Sequence, residues 1–414
     1  MFKASLPITR FVTKTVDLYQ TSMHWFLFFA AFLMTIGSSA GFLKLGVGTL
    51  FEYLGLMLLL LGCFARFLKN TRRFKTPAFI LLITVLILFN IGLLFQTLPL
   101  SNILKLMISM VILAVIAIFP SDYIQSIPDL RKIGWGFLLG TVCSTFAALI
   151  TDISIITRAS EGFLVNFGYN GGFEHRNYFS YSLIVAFISF YMPFRYGHRK
   201  AADLPCMLIS LLLLLLTNSR GAYLVFAAFL LFDNCTSITI PFYGKKLRPG
   251  QAAIIACIAA IPVYILLVIT SETFYFRING LINYLEVFCT DVFHMLFGNA
   301  EIAYRETGLT YDQNIRSVIG WDGSVELVLL NILIKNGLLG LIGFILIFVR
   351  YFKKVRRIKN TGYQTFMYAL ILSFLMSAFI ESFLANINFS YGTFSYTVIA
   401  SILPVLSNMR PNIP

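Results

Sequence analysis

Apolar runs of about twenty residues recur along the whole chain, and each could cross a hydrocarbon core about 30 Å thick as an α-helix. Only 12% of the 414 residues are charged, against about 25% in soluble domains. We therefore predict an all-α polytopic membrane protein of about 12 transmembrane helices, with residues 1–414 forming a single transmembrane domain. The predicted spans lie near residues 24–43, 47–67, 77–96, 101–119, 133–151, 177–194, 203–218, 221–237, 251–270, 325–349, 363–382 and 390–408.

The basic residues are distributed unevenly around these spans. If the N-terminus is cytoplasmic, the segments that carry clustered Lys and Arg all fall on the same side, which also places the C-terminus in the cytoplasm. The net charge of +14 therefore indicates membrane orientation and argues against a nucleic-acid partner.

Two longer segments lie on the outer side. Residues 152–176 are turn-like, being rich in Asn, Gly and aromatic residues. Residues 271–324 form a long loop between the ninth and tenth spans, and apolar positions within 274–297 recur at helical spacing, which predicts an amphipathic helix on the membrane surface. The six Cys and four His show neither a disulfide framework nor the spacing of metal ligands, so we expect no metal and no cofactor.

The run "LLLLLLTNSRGAYLVF" places Arg220 in a turn between two apolar halves, where it fits two interpretations. It can be a solvated or snorkelling residue at the outer end of a helical hairpin. It can also bind phosphate oxygens through its guanidinium, with Ser219 adding a neutral donor. Arg277, at the start of the amphipathic stretch, has the same two interpretations. It can be an interfacial residue on a surface helix, or it can be a second residue that binds the same phosphate group.

The segment "GGFEHRNYFSYSL" opens the sixth span. Its polar residues either satisfy the free N–H groups of a helix start or line a substrate cavity. In the second interpretation Glu174, His175 and Asn177 hydrogen-bond a sugar, and Arg176 contacts a phosphate.

Asp322 and Glu326 are four residues apart and so share one helix face at the outer mouth of the tenth span. Either carboxylate can be a general base that deprotonates a sugar hydroxyl, although Asp322 can also simply stabilise a helix N-terminus. Lys335 lies deeper in the same span, as a counter-ion or as a wall residue.

These pieces resemble motifs of the bacterial O-antigen polymerase (Wzy) and O-antigen ligase superfamily. The matching stretches are the Ser-Arg-Gly segment at 219–221, "FYFRINGL" with Arg277, "LFGNA" at 296–300, "NGLLG" at 336–340 and the loop that carries Asn177. Their order and spacing cover residues 170–345. Ligases of this superfamily commonly have a His-Asn pair where this chain has Glu326 and Leu327, which favours the polymerase branch.

The resemblance implies a GT-C-like, metal-independent membrane glycosyltransferase. Donor and acceptor would be undecaprenyl-diphosphate-linked oligosaccharides at the periplasmic face of the bacterial inner membrane. In this interpretation Arg220 and Arg277 bind the donor diphosphate, and Glu326 or Asp322 is catalytic. Chain-length control would need a further assembly protein as a partner.

Two other functions stay open at this point. A ligase that transfers polymer to lipid A–core would use the same chemistry. A transporter or flippase of about twelve spans belongs to another class, but such proteins usually show paired repeats and polar helices near the bilayer midplane. No convincing repeat is visible here, and the unusual charges gather at one face.

Overall fold

The computed structural model describes residues 25–69, 77–96, 98–161, 164–234, 249–288, 291–300 and 327–409. In chain order the helices are α1 (Trp25–Gly37), α2 (Ala40–Lys44), α3 (Gly48–Lys69), α4 (Pro77–Asn90), α5 (Leu100–Ile118), α6 (Arg131–Ile150), α7 (Arg176–Arg195), α8 (Asp203–Leu216), α9 (Arg220–Asn234), α10 (Pro249–Thr270), α11 (Glu272–Phe288), α12 (Val292–Phe297), α13 (Val328–Val355), α14 (Thr361–Ser377) and α15 (Ser390–Asn408). Short 3-10 helices cover Gly92–Phe95, Ile127–Leu130 and Phe383–Ala385, and the strands are β1 (Ile156–Glu161) and β2 (Leu164–Tyr169).

Each of the twelve predicted spans contains a helix, and the predominantly helical structure is consistent with an all-α membrane protein. Among the described residues, five helices are both long enough and apolar enough to cross a membrane: Gly48–Leu68, Pro77–Phe95, Leu100–Ile118, Ile127–Ile150 and Val328–Val355. Of the helices in the other predicted spans, α8 and α9 are shorter, and α7 and α15 contain many Ser, Thr and Tyr residues.

The chain divides into two compact units, one built from Met1–Arg66 with Ser121–Asn218 and the other from Phe67–Pro120 with Ser219–Pro414. In the first unit α7 packs against α6 and α8. A buried ion pair joins the first turns of α6 and α8, with Arg131 Nε 2.6 Å from Asp203 Oδ1 and Nη2 2.7 Å from Oδ2. This bidentate geometry offsets the cost of burying both charges.

The segment 152–176 contains a β-hairpin, which corrects the prediction of a turn-like loop in an entirely α-helical chain. β1 and β2 pair antiparallel, with Ile156 opposite Tyr169. The β-branched and aromatic residues of the two strands suit a pleated ribbon. At the open end of the hairpin, Asn170 adds one more backbone hydrogen bond by donating from its N–H to Ile155 O.

The predicted amphipathic helix at 274–297 is interrupted. α11 ends at Phe288 and α12 begins at Val292, where the side chain of Asp291 caps the new helix by accepting from Phe293 N. The predicted apolar stripe is also divided, because Ile278 and Leu281 pack against a buried cluster that includes Tyr284 and residues of α13, whereas Ile282 is 45% exposed. α11 is therefore partly packed into the second unit.

In the second unit the long helix α13 packs against α4, α12 and α15, and α14 packs against α9. The helical geometry of α13 breaks at Gly337, whose φ is 61° and ψ −163°. Gly298, in the turn that follows α12, has φ 84° and ψ 178°. Both conformations are essentially confined to glycine.

These two glycines face each other. A Cβ at Gly337 would lie 2.3 Å from Leu296 O and 2.6 Å from Gly298 N, and a Cβ at Gly298 would lie 2.7 Å from Ile334 O. Asn299 N donates to Ile334 O at 2.7 Å. The turn after α12 is therefore docked directly on the break in α13.

The same turn is held from its other side by the segment that follows α4. Gln96 Nε2 donates to Gly298 O at 2.8 Å, and Gln96 Oε1 accepts from Ala300 N at 3.1 Å. One side chain thus satisfies two backbone groups that the turn leaves outside any helix.

We expect Gly337→Ala to lower the melting temperature of the purified protein in detergent, through a loss of about 1–3 kcal/mol from overpacking and added backbone strain. Gly250→Ala is the matched control, because its new Cβ would have its nearest neighbour, Tyr368 Oη, at 3.7 Å. Equal melting temperatures for the two variants would contradict the close contact described above.

Candidate functional site

Two cations of the second unit reach the segment between α14 and α15. Arg277, on α11, forms an ion pair with Glu381, the Nη2–Oε1 distance being 3.4 Å. Both side chains are 6% exposed. The Arg277 guanidinium also lies 5.5 Å from the centroid of the Phe274 ring, a favourable cation–π distance.

The Arg277–Glu381 contact is loose for a buried pair. Charge-assisted N–H···O bonds are typically about 2.7–2.9 Å long, so the observed 3.4 Å is long for such a pair. Burying such a pair contributes little net stability, because desolvation offsets most of the Coulomb attraction.

The second cation is Lys335, on α13 two residues before the break at Gly337. Its Nζ donates to Asn386 Oδ1 at 3.1 Å. Asn386 in turn donates from Nδ2 to Ser382 O at 3.3 Å, which folds the segment back on itself. We define residues 381–386 as the anchor segment, since both cations contact it. Lys335 is thus held by a neutral amide oxygen.

Neighbouring side chains support this arrangement. Tyr264, on α10, donates to Phe379 O at 3.0 Å and makes an edge contact with the Phe274 ring. Tyr284 donates to Leu333 O at 3.4 Å, linking α11 to α13. The helices that carry Arg277 and Lys335 are therefore fixed to each other and to the end of α14.

Glu381 was not predicted from the sequence as a site residue. A signal was available, since it is a lone carboxylate in the apolar stretch "MSAFIESFLA", at the end of a predicted span. Ionisable residues at such positions are costly unless they have a partner. What the linear sequence does not give is the partner, which lies more than 100 residues earlier.

Two further predicted residues, Ser219 and Arg220, lie at the start of α9. Arg220 is the first residue of that helix and is exposed, whereas Ser219 is buried and its carbonyl accepts from Tyr223 N. Asn218, before them, has a left-handed φ of 51°, a conformation that Asn tolerates. This sharp turn separates α8, which packs against α7, from α9, which packs against α14.

Glu174, His175, Arg176 and Asn177 belong to the first unit, where they form the start of α7. His175 is the N-cap, and its Nδ1 accepts from Asn177 N at 3.2 Å. Glu174 and His175 are exposed. Arg176 has a buried Nη1 without a hydrogen-bond partner. The helix-start interpretation thus applies to His175 and Asn177.

The two candidate catalytic carboxylates, Asp322 and Glu326, fall within 301–326 and lie outside the described residues. Their roles remain predictions. In the part of the chain that the structure describes, no group of three or more His, Cys, Asp or Glu side chains could hold a metal ion.

Comparison with protein-family models and with curated proteins finds no match for this chain. The case for a function therefore depends on the chemistry of these side chains and on the motifs in the sequence.

Proposed function

We propose that the chain is a membrane glycosyltransferase that polymerises oligosaccharide repeat units carried on undecaprenyl diphosphate. The observation that carries the proposal is that two cations, the buried Arg277 and the half-buried Lys335, both contact the anchor segment. A guanidinium and an ammonium on neighbouring helices suit the two charged groups of a diphosphate.

The binding step is an exchange of anions. Glu381 neutralises Arg277 at a longer than usual distance. A diphosphate offers several oxygens and more charge, and guanidinium binds such groups bidentately. It would displace the carboxylate from Arg277, while Lys335 would exchange a neutral amide oxygen for a phosphate oxygen.

The reaction is a substitution at the anomeric carbon of the donor sugar. The hydroxyl oxygen of the acceptor forms a bond to that carbon, the bond from carbon to the diphosphate oxygen breaks, and the electron pair leaves with the diphosphate. The hydroxyl proton passes to a carboxylate, for which Glu326 and Asp322 are the candidates. Arg277 and Arg220 stabilise the leaving group as its charge develops, and aligning the two substrates lowers the barrier further.

The proposal also covers the fold, the location of the site, the sugar-binding residues and a partner. The chain would have about twelve spans in a GT-C-like fold, with the site at the periplasmic face of the bacterial inner membrane. Ser219 would lie beside the diphosphate, and Glu174, His175, Arg176 and Asn177 keep their sequence-based assignment as sugar-binding residues. A chain-length regulator would be a partner.

Arg277→Ala should abolish polymer formation in cells that supply lipid-linked repeat units and lack the native chain, because removal of an oxyanion-stabilising donor costs about 10²–10³-fold in rate. Arg277→Lys should retain a small fraction of activity, since an ammonium keeps the charge but cannot form the two parallel hydrogen bonds of a guanidinium. The readout is the polysaccharide ladder on a gel, at matched membrane levels.

Arg357→Ala is the control. It removes the charge of an exposed side chain in the basic segment after α13 and should leave the ladder intact. Full-length polymer from Arg277→Ala would contradict the proposal. The residual product also separates the two transferases: single repeats attached to lipid A–core indicate loss of a polymerase, whereas no attached repeats indicate loss of a ligase.

Glu381→Gln should lower KM for the lipid-linked donor several-fold and preserve kcat, because the neutral amide no longer competes with the diphosphate for Arg277. Glu286→Gln, an exposed carboxylate on the same helix as Arg277, is the control and should change neither constant. The melting temperature of each variant in detergent verifies folding. An unchanged KM with a reduced kcat would exclude the competing role of Glu381.

A further inference from the structure

A groove of about 820 Å³ lies between α10, the end of α13 and α14, all within the second unit. It contains neither Arg277 nor the anchor segment. Its volume falls within the range of about 300–1,000 Å³ that ligand sites usually occupy. The residues that line it are polar and basic at one end and apolar along the rest.

One end of the groove is polar and basic. It is lined by Arg356, Gln364 and Gln251, with Tyr368 beside them. Arg356 is exposed and lies just beyond the last residue of α13, among other exposed cations that include Lys353 and Arg357. The Tyr368 ring stacks on Phe352 at a centroid distance of 6.1 Å, which gives this end a rigid floor.

The rest of the groove is apolar. Its walls are Ile258 and Ile261 from α10 and Leu372 and Leu375 from α14. Ile258 is 61% exposed and Ile261 is 57% exposed, so this wall is a hydrocarbon surface that the protein itself does not cover.

The dimensions match one leaflet of a bilayer. Gln364 and Leu375 are separated by eleven positions on one helix, which is about 16 Å at 1.5 Å per residue. Half of a hydrocarbon core about 30 Å thick is about 15 Å. The basic end of the groove also coincides with the basic segment 350–359, which the charge distribution assigns to the cytoplasmic side.

We propose that this groove binds an anionic glycerophospholipid of the leaflet on the basic side. The phosphate group would lie at Arg356, which can bind it through two N–H groups, and an acyl chain would lie along the isoleucine and leucine walls. The local excess of positive charge selects an anionic head group over a zwitterionic one. This site is separate from the proposed diphosphate site and goes beyond the proposed function.

The test uses the purified full-length chain in detergent, titrated with dioleoyl phosphatidylglycerol or with dioleoyl phosphatidylcholine. Because the acyl chains are identical, only the head group differs. Native mass spectrometry counts the bound lipids, and we expect phosphatidylglycerol to bind about tenfold more tightly, the effect of one charge-assisted contact.

Three variants locate the site. Arg356→Gln should remove the preference for phosphatidylglycerol, whereas Arg357→Gln, which removes the same charge from the adjacent exposed position, should retain it. Leu372→Trp should weaken both lipids by filling the apolar part. Melting temperatures without added lipid verify that each variant is folded.

Equal binding of the two lipids by the unsubstituted chain would overturn the proposal, as would equal losses in Arg356→Gln and Arg357→Gln. Undecaprenyl phosphate that displaces phosphatidylglycerol at lower concentration would also overturn it, because the groove would then hold the carrier lipid. None of these readouts requires polymer formation, so they are independent of the proposed reaction.

Discussion

The contact between Gly298 and Gly337 fixes the positions of the helices that carry the candidate site. Because each glycine occupies a backbone region closed to other residues, and because a Cβ on either would strike the other segment, α12 can only dock on α13 at this point. Lys335 lies two residues before the break, and α11 is held on α13 through Tyr284 and the cluster around it. The glycine contact therefore positions the part of α13 that carries Lys335, and the contacts of Tyr284 position α11 and Arg277 on the same helix.

The buried Arg277 and the half-buried Lys335 explain why the anchor segment contains Glu381 and Asn386. An unpaired guanidinium or ammonium in an apolar interior is very costly. Glu381 supplies a countercharge for Arg277, and Asn386 supplies an acceptor for Lys335. Replacing these groups with apolar residues would often be neutral or stabilising for a fold. Stability alone therefore does not account for all four groups, whereas the proposed diphosphate site would require the two cations.

Much of the architecture could be predicted from the sequence, since apolar runs and clusters of basic residues are local signals. A helix lies in each predicted span, and the two glycine motifs that the family resemblance singled out, "LFGNA" and "NGLLG", contact each other directly. The hairpin in 152–176 and the interruption between α11 and α12 could not be predicted, because short strands and caps depend on pairing and on a single residue such as Asp291. The Arg277–Glu381 pair joins distant parts of the chain, which no local pattern indicates.

The most direct test of the account is a reaction with purified protein in detergent, supplied with undecaprenyl-diphosphate-linked repeat units and without vesicles. We expect a ladder of extended chains, with one undecaprenyl diphosphate released for each linkage formed. Failure to extend any chain, combined with movement of the same lipid across a vesicle membrane by the reconstituted protein, would contradict the account and identify a transporter.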